Sequence, residues 1–283
     1  MRKIVPLVNL NQVENYLSNG VDKVLMGSYF SAARQVEVFT IQEMIEVNEK
    51  IPVVGCFNRF YFEHELNQLK HEIKSLVEGG IEEITASDLA VLEIVFELGL
   101  DVKVILDTDT TMTNIDDVKT MHDMGADEVV LGRELTLDEI VSISKETNVC
   151  GMHFFGYQLM SASRRKHLTQ YAQYRNVDIR TGQLYWMKEA KRDALYMTLE
   201  DHYGTHIYAP DVYSGIHVYQ TLKEAGIQTL YFDVMGLEIE DVLFVVRSLD
   251  ILEDYDQFET ILSETCDMVL THGLLYQETE KGK

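Results

Sequence analysis

The chain has 283 residues, 46 % hydrophobic and 10 % aromatic, and a formal net charge of −23. That apolar fraction supports a sizeable core and argues against disorder, while the acidic balance argues against a general nucleic-acid binder. No apolar run reaches the roughly 18 residues of a membrane helix. The N-terminus "MRKIVPLVNLNQ" meets Asn9 and Asn11 too early for a secretory leader, so a cytoplasmic protein with no membrane contact is expected.

In chain order, the apolar run 3–8 predicts a first strand, and 11–20 a helix closed by Gly20. A second strand is read at 22–27. The stretch 40–50 opens on Thr40, a good N-cap, and carries apolar residues at helical spacing. Strand 51–57 precedes the longest helix, 62–80, with Leu66, Leu69, Ile73 and Val77 at core spacing. Strands at 81–86, 101–107 and 127–132 alternate with helices at 89–99, 114–125 and 136–146. A seventh strand is read at 148–155, an eighth at 227–234 and a helix at 239–249. Eight strands with helices between them predict a (β/α)₈ barrel, an α/β fold of the TIM-barrel kind. An open doubly wound sheet is the alternative, but no Gly-rich dinucleotide loop follows the first strand. With no Ser/Gly/Pro-rich linker, residues 1–283 read as one barrel domain, and 156–226 as a long insertion over its C-terminal face.

That face is where such barrels place their sites. Asn58, Asp88, Asp107, Asp109, Arg133, Glu134, His153 and Asp233 all follow strands and would ring its mouth. Asn58, Asp88, Arg133 and Glu134 are the candidate catalytic set, although Asp88 could equally cap the helix after it. An arginine here could hold a carboxylate or phosphate through two parallel hydrogen bonds. No GxSxG, HExxH, P-loop or GxGxxG is present, and no nucleophile pairs with a histidine by spacing alone. His202 and His206 flank Gly204 in "HYGTH", a turn that would not place two metal ligands on one helix face. Cys56, Cys150 and Cys266 are too widely spaced for a CxxC metal pair, so no metal and no cofactor is expected.

The insertion carries the chain's one basic island. Residues 151–192 hold eight Lys/Arg against two Asp/Glu. In "SRRKHLTQYAQYR", Arg164, Arg165, Lys166, His167 and Arg175 alternate with Tyr171 and Tyr174, a mixture that suits phosphate contacts with base stacking. It suits an acidic partner equally well, or a solvated face balanced by the acidic body. The stretch 237–283, with twelve acids and three bases, could be that balance.

Several blocks resemble peptidase family U32: "TMTNIDDVKTMHDMGADEVVLGRELTLDEI" (111–140), "GIEEITASDLAVLEI" (80–94), "GSYFSAARQ" (27–35), "CFNRFYFEHEL" (56–66) and 198–233. "GRELTLDEI" is the most specific. In "GMHFFGYQLMSASRRKHL" the family's Gly156, Ser163 and Arg165 remain, but Gly151 replaces a glutamate, and Leu159, Lys166 and, downstream, Tyr213 stand where cysteines belong. The resemblance implies a barrel and, in many members, a cysteine-held iron–sulfur cluster that these residues cannot ligate. It also implies a short, cluster-less subunit acting with a cysteine-bearing homologue in hydroxylation of tRNA uridine to 5-hydroxyuridine, which makes that homologue and tRNA the expected partners. The peptidase activity of the family name, or a non-catalytic partner-binding barrel, are the alternatives.

Overall fold

The computed structural model describes residues 1–191 and 193–277. Its strands are β1 Arg2–Pro6, β2 Lys23–Met26, β3 Val53–Phe57, β4 Glu83–Ala86, β5 Lys103–Leu106, β6 Glu128–Val130, β7 Cys150–Ser163, β8 Leu184–Lys188, β9 Leu195–Asp201, β10 Gly204–Ser214, β11 Thr229–Phe232 and β12 Leu270–Thr271. Its helices are α1 Val13–Ser18, α2 Ile41–Asn48, α3 Leu66–Glu78, α4 Leu89–Leu98, α5 Ile115–Asp123, α6 Leu137–Thr147, α7 His167–Arg175, α8 Tyr219–Ala225, α9 Ile239–Ser248 and α10 Tyr255–Cys266. Strands β1 to β7 pair in order, all parallel, and β11 closes the ring by pairing with both β7 and β1. The expected eight-stranded barrel is what forms.

Local chemistry fixes the helices between the strands. Thr40 and Thr136 each build a reciprocal cap: Glu43 and Glu139 accept from the capping backbone N–H at 2.8 Å while the threonine hydroxyls accept from the Glu N–H groups. Each such cap is worth about 1 kcal/mol. Asp88 accepts from Ala90 N–H to start α4, and Gly99, at φ 59°, ends it in the left-handed region.

Strand side chains alternate in and out, so the barrel interior fills in layers. The middle layer is apolar: Ile4, Val54, Ile105, Val130 and Tyr231 form a buried cluster joined by Leu25. Toward the N-terminal ends of the strands lies a charged layer, in which Arg2 bridges Glu83 and Glu128. Thr229 and Tyr231 each donate a hydroxyl to Glu128 at 2.7 Å. Two residues later the strands reach the mouth, with Cys56, Thr85, Asp107, His153 and Asp233.

The seventh strand does not stop at residue 155 as its apolar run suggests. It runs on to Ser163, parallel to β6 and β11 in its first half and antiparallel to β10 in its second. The crossing point is Gly156, at φ 125°, where a Cβ would lie 2.6 Å from Asp233 Cβ and 2.9 Å from its carbonyl oxygen. Only glycine fits that bend. The insertion therefore continues the barrel wall as an antiparallel extension, β7–β10–β9–β8. The basic stretch divides within it: Arg164, Arg165 and Lys166 form the link into α7, and the helix begins at His167.

Two contacts dock the β9–β10 hairpin on the barrel loops. Asp201 in its turn accepts from Arg34 N–H at 2.8 Å, from Tyr203 N–H and from Gly204 N–H. Arg59, buried and ion-paired with Glu65 at 2.9 Å, lies 4.1–4.6 Å from the ring centroids of Phe30, Tyr61 and Tyr203, so one cation joins loop and hairpin.

Candidate active site at the barrel mouth

A cavity of about 70 Å³ opens at the C-terminal end of the strands, between the barrel mouth and Leu159 of β7 and Tyr208 of β10. Its centre is an ionic chain. Asp109 accepts from Arg34 Nη2 at 2.9 Å and from Arg133 Nη2 at 2.8 Å. The same Arg133 nitrogen lies 3.1 Å from His153 Nε2, which in turn lies 3.1 Å from Asp107 Oδ2. One imidazole nitrogen thus faces a donor and an acceptor together. Protonated, it donates to Asp107; unprotonated, it accepts from Arg133. A group holding a proton between two fixed partners is suited to acid–base work.

Burial alone would raise Asp107, but the His153 charge and hydrogen bond, together with Arg133, hold its carboxyl well below the usual carboxylate range. Asp233 shows the reverse: burial outweighs the Met235 N–H and the nearby Arg133, His153 and Arg34 charges, and its pKa rises. A depressed folded-state pKa contributes stability above the unfolded aspartate value of about 3.9, lost as pH falls through the folded value. Asp107→Asn should therefore lower the urea midpoint at neutral pH and flatten its decline on acidification below about pH 4. Midpoints that fall in parallel for both proteins would show that Asp107 carries none of the acid sensitivity.

A second groove of about 240 Å³ adjoins this cavity and shares Arg34, Asn58, Asp109 and Leu159 with it. Phe60, Met160, Ser163, Arg164 and Tyr203 line the rest of its wall. Arg164 lies 3.7 Å from the Phe62 ring centroid and donates to the Phe60 carbonyl at 2.9 Å. Arg165, Tyr171, Tyr174 and Arg175 are exposed, and among the described residues none of Arg164, Arg165, Lys166 or Arg175 is in an ion pair. The acidic C-terminal stretch does not neutralise the island within the described residues. Helix α7 is instead held from below. Glu200 on β9 accepts from the N–H groups of Leu168 and Thr169 at 2.8 and 3.1 Å, filling the helix N-terminus that Lys166 leaves uncapped.

Of the four candidate catalytic residues, the structure brings Arg133 and Asn58 to the cavity wall. Asn58 also ties the loop holding Arg34, exchanging hydrogen bonds with Ala33 N–H and C=O at 2.8 and 2.9 Å. Asp88 serves two backbone N–H groups, of Ala90 and Tyr61, each at 2.9 Å, and lies off the cavity. Glu134 points to solvent, because the loop after β6 turns Arg133 inward and its neighbour outward. Arg34 and Tyr208 were not legible from sequence: the first lies in a loop without periodicity and the second in the insertion. Ser163 Oγ and His167 Nε2 also meet, at 3.1 Å, across one turn at the start of α7.

The family's thiolate-held cluster does not fit this chain. Leu159 lines the cavity with an alkyl group, and Tyr213 is a buried phenol. Cys56, the cysteine nearest the mouth, is fully enclosed, and burial pushes its thiol up to about 12. That excludes a ready thiolate at neutral pH. The clusters of ligating side chains found among the described residues contain no cysteine. In one of them, Asp107–Asp109–His153, both carboxylates already face cations or an imidazole.

The sequence is 28 % identical over 233 residues to tRNA hydroxylation protein P2 of Bacillus subtilis, covering 77 % of this chain and 75 % of that one. It is 25 % identical over 246 residues to tRNA hydroxylation protein P of Helicobacter pylori, covering 80 % of this chain but only 58 % of that longer protein. Among solved structures, the homocysteine methyltransferase MmuM of Escherichia coli aligns over 88 % of this chain and 95 % of its own at 8 % identity and a TM-score of 0.49. The model of peptidase family U32 matches residues 8–264, nearly the whole barrel with its hairpin extension, and the chain belongs to that family.

Proposed function

We propose that this chain is a cluster-less U32 subunit in tRNA uridine hydroxylation, acting with a cysteine-bearing U32 homologue. The observation that carries the reading is a U32 barrel with a polar mouth whose side chains at the family's cysteine positions, Leu159, Lys166 and Tyr213, are not iron–sulfur cluster ligands. Its similarity to P2 over most of both proteins points the same way. In this reading the chain presents tRNA to the complex. The exposed cations beside the groove meet phosphate, Phe60 and Tyr203 offer stacking faces, and His153 holds or releases a proton at the mouth. The decisive experiment is mass spectrometry of tRNA nucleosides from cells with and without the gene. Loss of 5-hydroxyuridine and its derivatives, restored by the gene, supports the reading. Unchanged tRNA in a strain with no second copy overturns it.

The double substitution Arg165→Ala/Arg175→Ala should weaken tRNA binding. It should also reduce the slope of log affinity against log salt by roughly 1.4–1.8, two phosphate contacts' worth. An unchanged slope removes these two residues from the RNA-facing surface. The Ser163–His167 contact is the one geometry that favours a peptidase, though among the described residues no carboxylate orients the His167 ring. Casein hydrolysis by the purified chain, abolished by Ser163→Ala, would establish that activity.

A further inference from the structure

Away from the mouth, three segments converge on a cluster that the proposed function does not use. His217 lies in the turn after β10, Glu259 on α10, and His272 just beyond β12. Their ligating atoms all lie within 4.8 Å of one another. His272 Nε2 is 3.0 Å from Glu259 Oε2, and His217 Nδ1 is 3.6 Å from Glu259 Oε1. A tetrahedral zinc with bonds of 2.0–2.2 Å sets its ligand atoms about 3.3 Å apart. The cluster already has that scale.

The hydrogen bonds around the three side chains favour a cation over a simple network. His217 Nε2 pairs with the Tyr276 hydroxyl at 2.8 Å, which commits that nitrogen. Nδ1 is then left buried without a hydrogen-bond partner on a side chain only 10 % exposed. Its 3.6 Å gap to Glu259 is too long for a hydrogen bond. Ser214 donates its hydroxyl to Glu259 Oε1, orienting the carboxylate from behind. Metal-bound histidines and carboxylates are held by outer partners in this way. The imidazole rings lie with centroids 3.7 Å apart and planes tilted by 33°, an arrangement that two imidazolium charges would oppose and that two neutral ligands on one cation would not.

The geometry points to a divalent transition-metal site, His217–Glu259–His272, of the zinc type. Two imidazoles and one carboxylate leave a fourth position for water. The metal would fasten α10 and the segment after β12 to the barrel end of β10, adding to the short parallel β10–β12 pairing and the Ser214–Glu259 hydrogen bond. The site is independent of the tRNA reading, and its test uses no activity.

Chelator-treated full-length protein should take up one zinc per chain when titrated with the metal salt alone, read by isothermal titration and elemental analysis. Glu259→Gln and His272→Ala should each weaken binding at least about 100-fold, the scale expected for loss of a ligand or its support. His272 is partly exposed, so that variant should stay folded; circular dichroism checks it. Cobalt(II) loaded into the wild-type chain should give the intense visible bands of a tetrahedral nitrogen–oxygen site, which keeps the test valid if a variant misfolds. Substoichiometric zinc, affinity unchanged by both substitutions, or a cobalt spectrum of the hexaaquo ion would each overturn the assignment.

Discussion

Gly151→Glu is expected to destabilise the barrel by at least about 4 kcal/mol, a large part of the 5–15 kcal/mol that holds a typical domain. A Cβ at this position would lie 2.4 Å from Glu128 Oε1 and 2.9 Å from a Tyr231 ring carbon, both fully packed. A third carboxylate would then enter a layer where Arg2 already serves Glu83 and Glu128. An unpaired buried charge is among the costliest changes a core can suffer. By its resemblance to the U32 pattern, position 151 corresponds to a glutamate, and the Glu128 carboxylate on the neighbouring strand β6 occupies the space that side chain would enter. A rescue is expected: Gly151→Glu combined with Glu128→Gly should recover much of the loss, since one carboxylate again fills one space. Equal denaturation midpoints for the single variant and wild type would remove the steric argument, and absence of rescue would remove the exchange of positions.

The second large effect is expected at Arg133. Its Nη2 atom touches Asp109 and His153 together, so one guanidinium both pairs with a carboxylate and faces the imidazole nitrogen. Arg133→Gln keeps most of the volume and removes the charge, and Arg133→Lys keeps the charge but offers a single nitrogen on a different stem. If the mouth acts on tRNA as proposed, both should lower 5-hydroxyuridine in complemented deletion cells by about 10²-fold or more, the scale of a positioned acid–base group. Protein levels must match wild type. Modification retained by the lysine variant alone would show that charge suffices and the fork does not matter. Modification retained by both would take Arg133 out of the chemistry.

The barrel was readable because each wall strand is a short apolar run closed by a turn, and because Thr40, Thr136 and Asp88 announce their helices in three or four letters. Asp107, Asp109, Arg133 and His153 were readable as mouth residues from their place after strands alone. What the sequence did not disclose depends on contacts between distant segments. Arg34 reaches Asp109 across 75 positions, and nothing local in "SAARQ" marks it. Strand β7 looked complete at Phe155 because its continuation is half exposed and loses the apolar signal while keeping the backbone pairing. Glu134 and Arg133 illustrate the opposite limit: adjacent charges in one loop were equivalent as letters, and a single turn of backbone sent one to the cavity and the other to water.

One strand shared between the barrel wall and its antiparallel extension constrains how anything reaches the mouth. A cover joined to a barrel through a flexible loop can swing, but here the cover is the far half of a strand whose near half is bonded on both sides within the closed wall. Lifting it would shear the seam between β6, β7 and β11. The entrance should therefore behave as an aperture of fixed width, with traffic governed by side-chain rearrangement at Leu159, Tyr208 and Arg34. Hydrogen exchange would show it as amides at 157–162 opening in step with those of the barrel wall, slowly and all together, with no faster gate of their own.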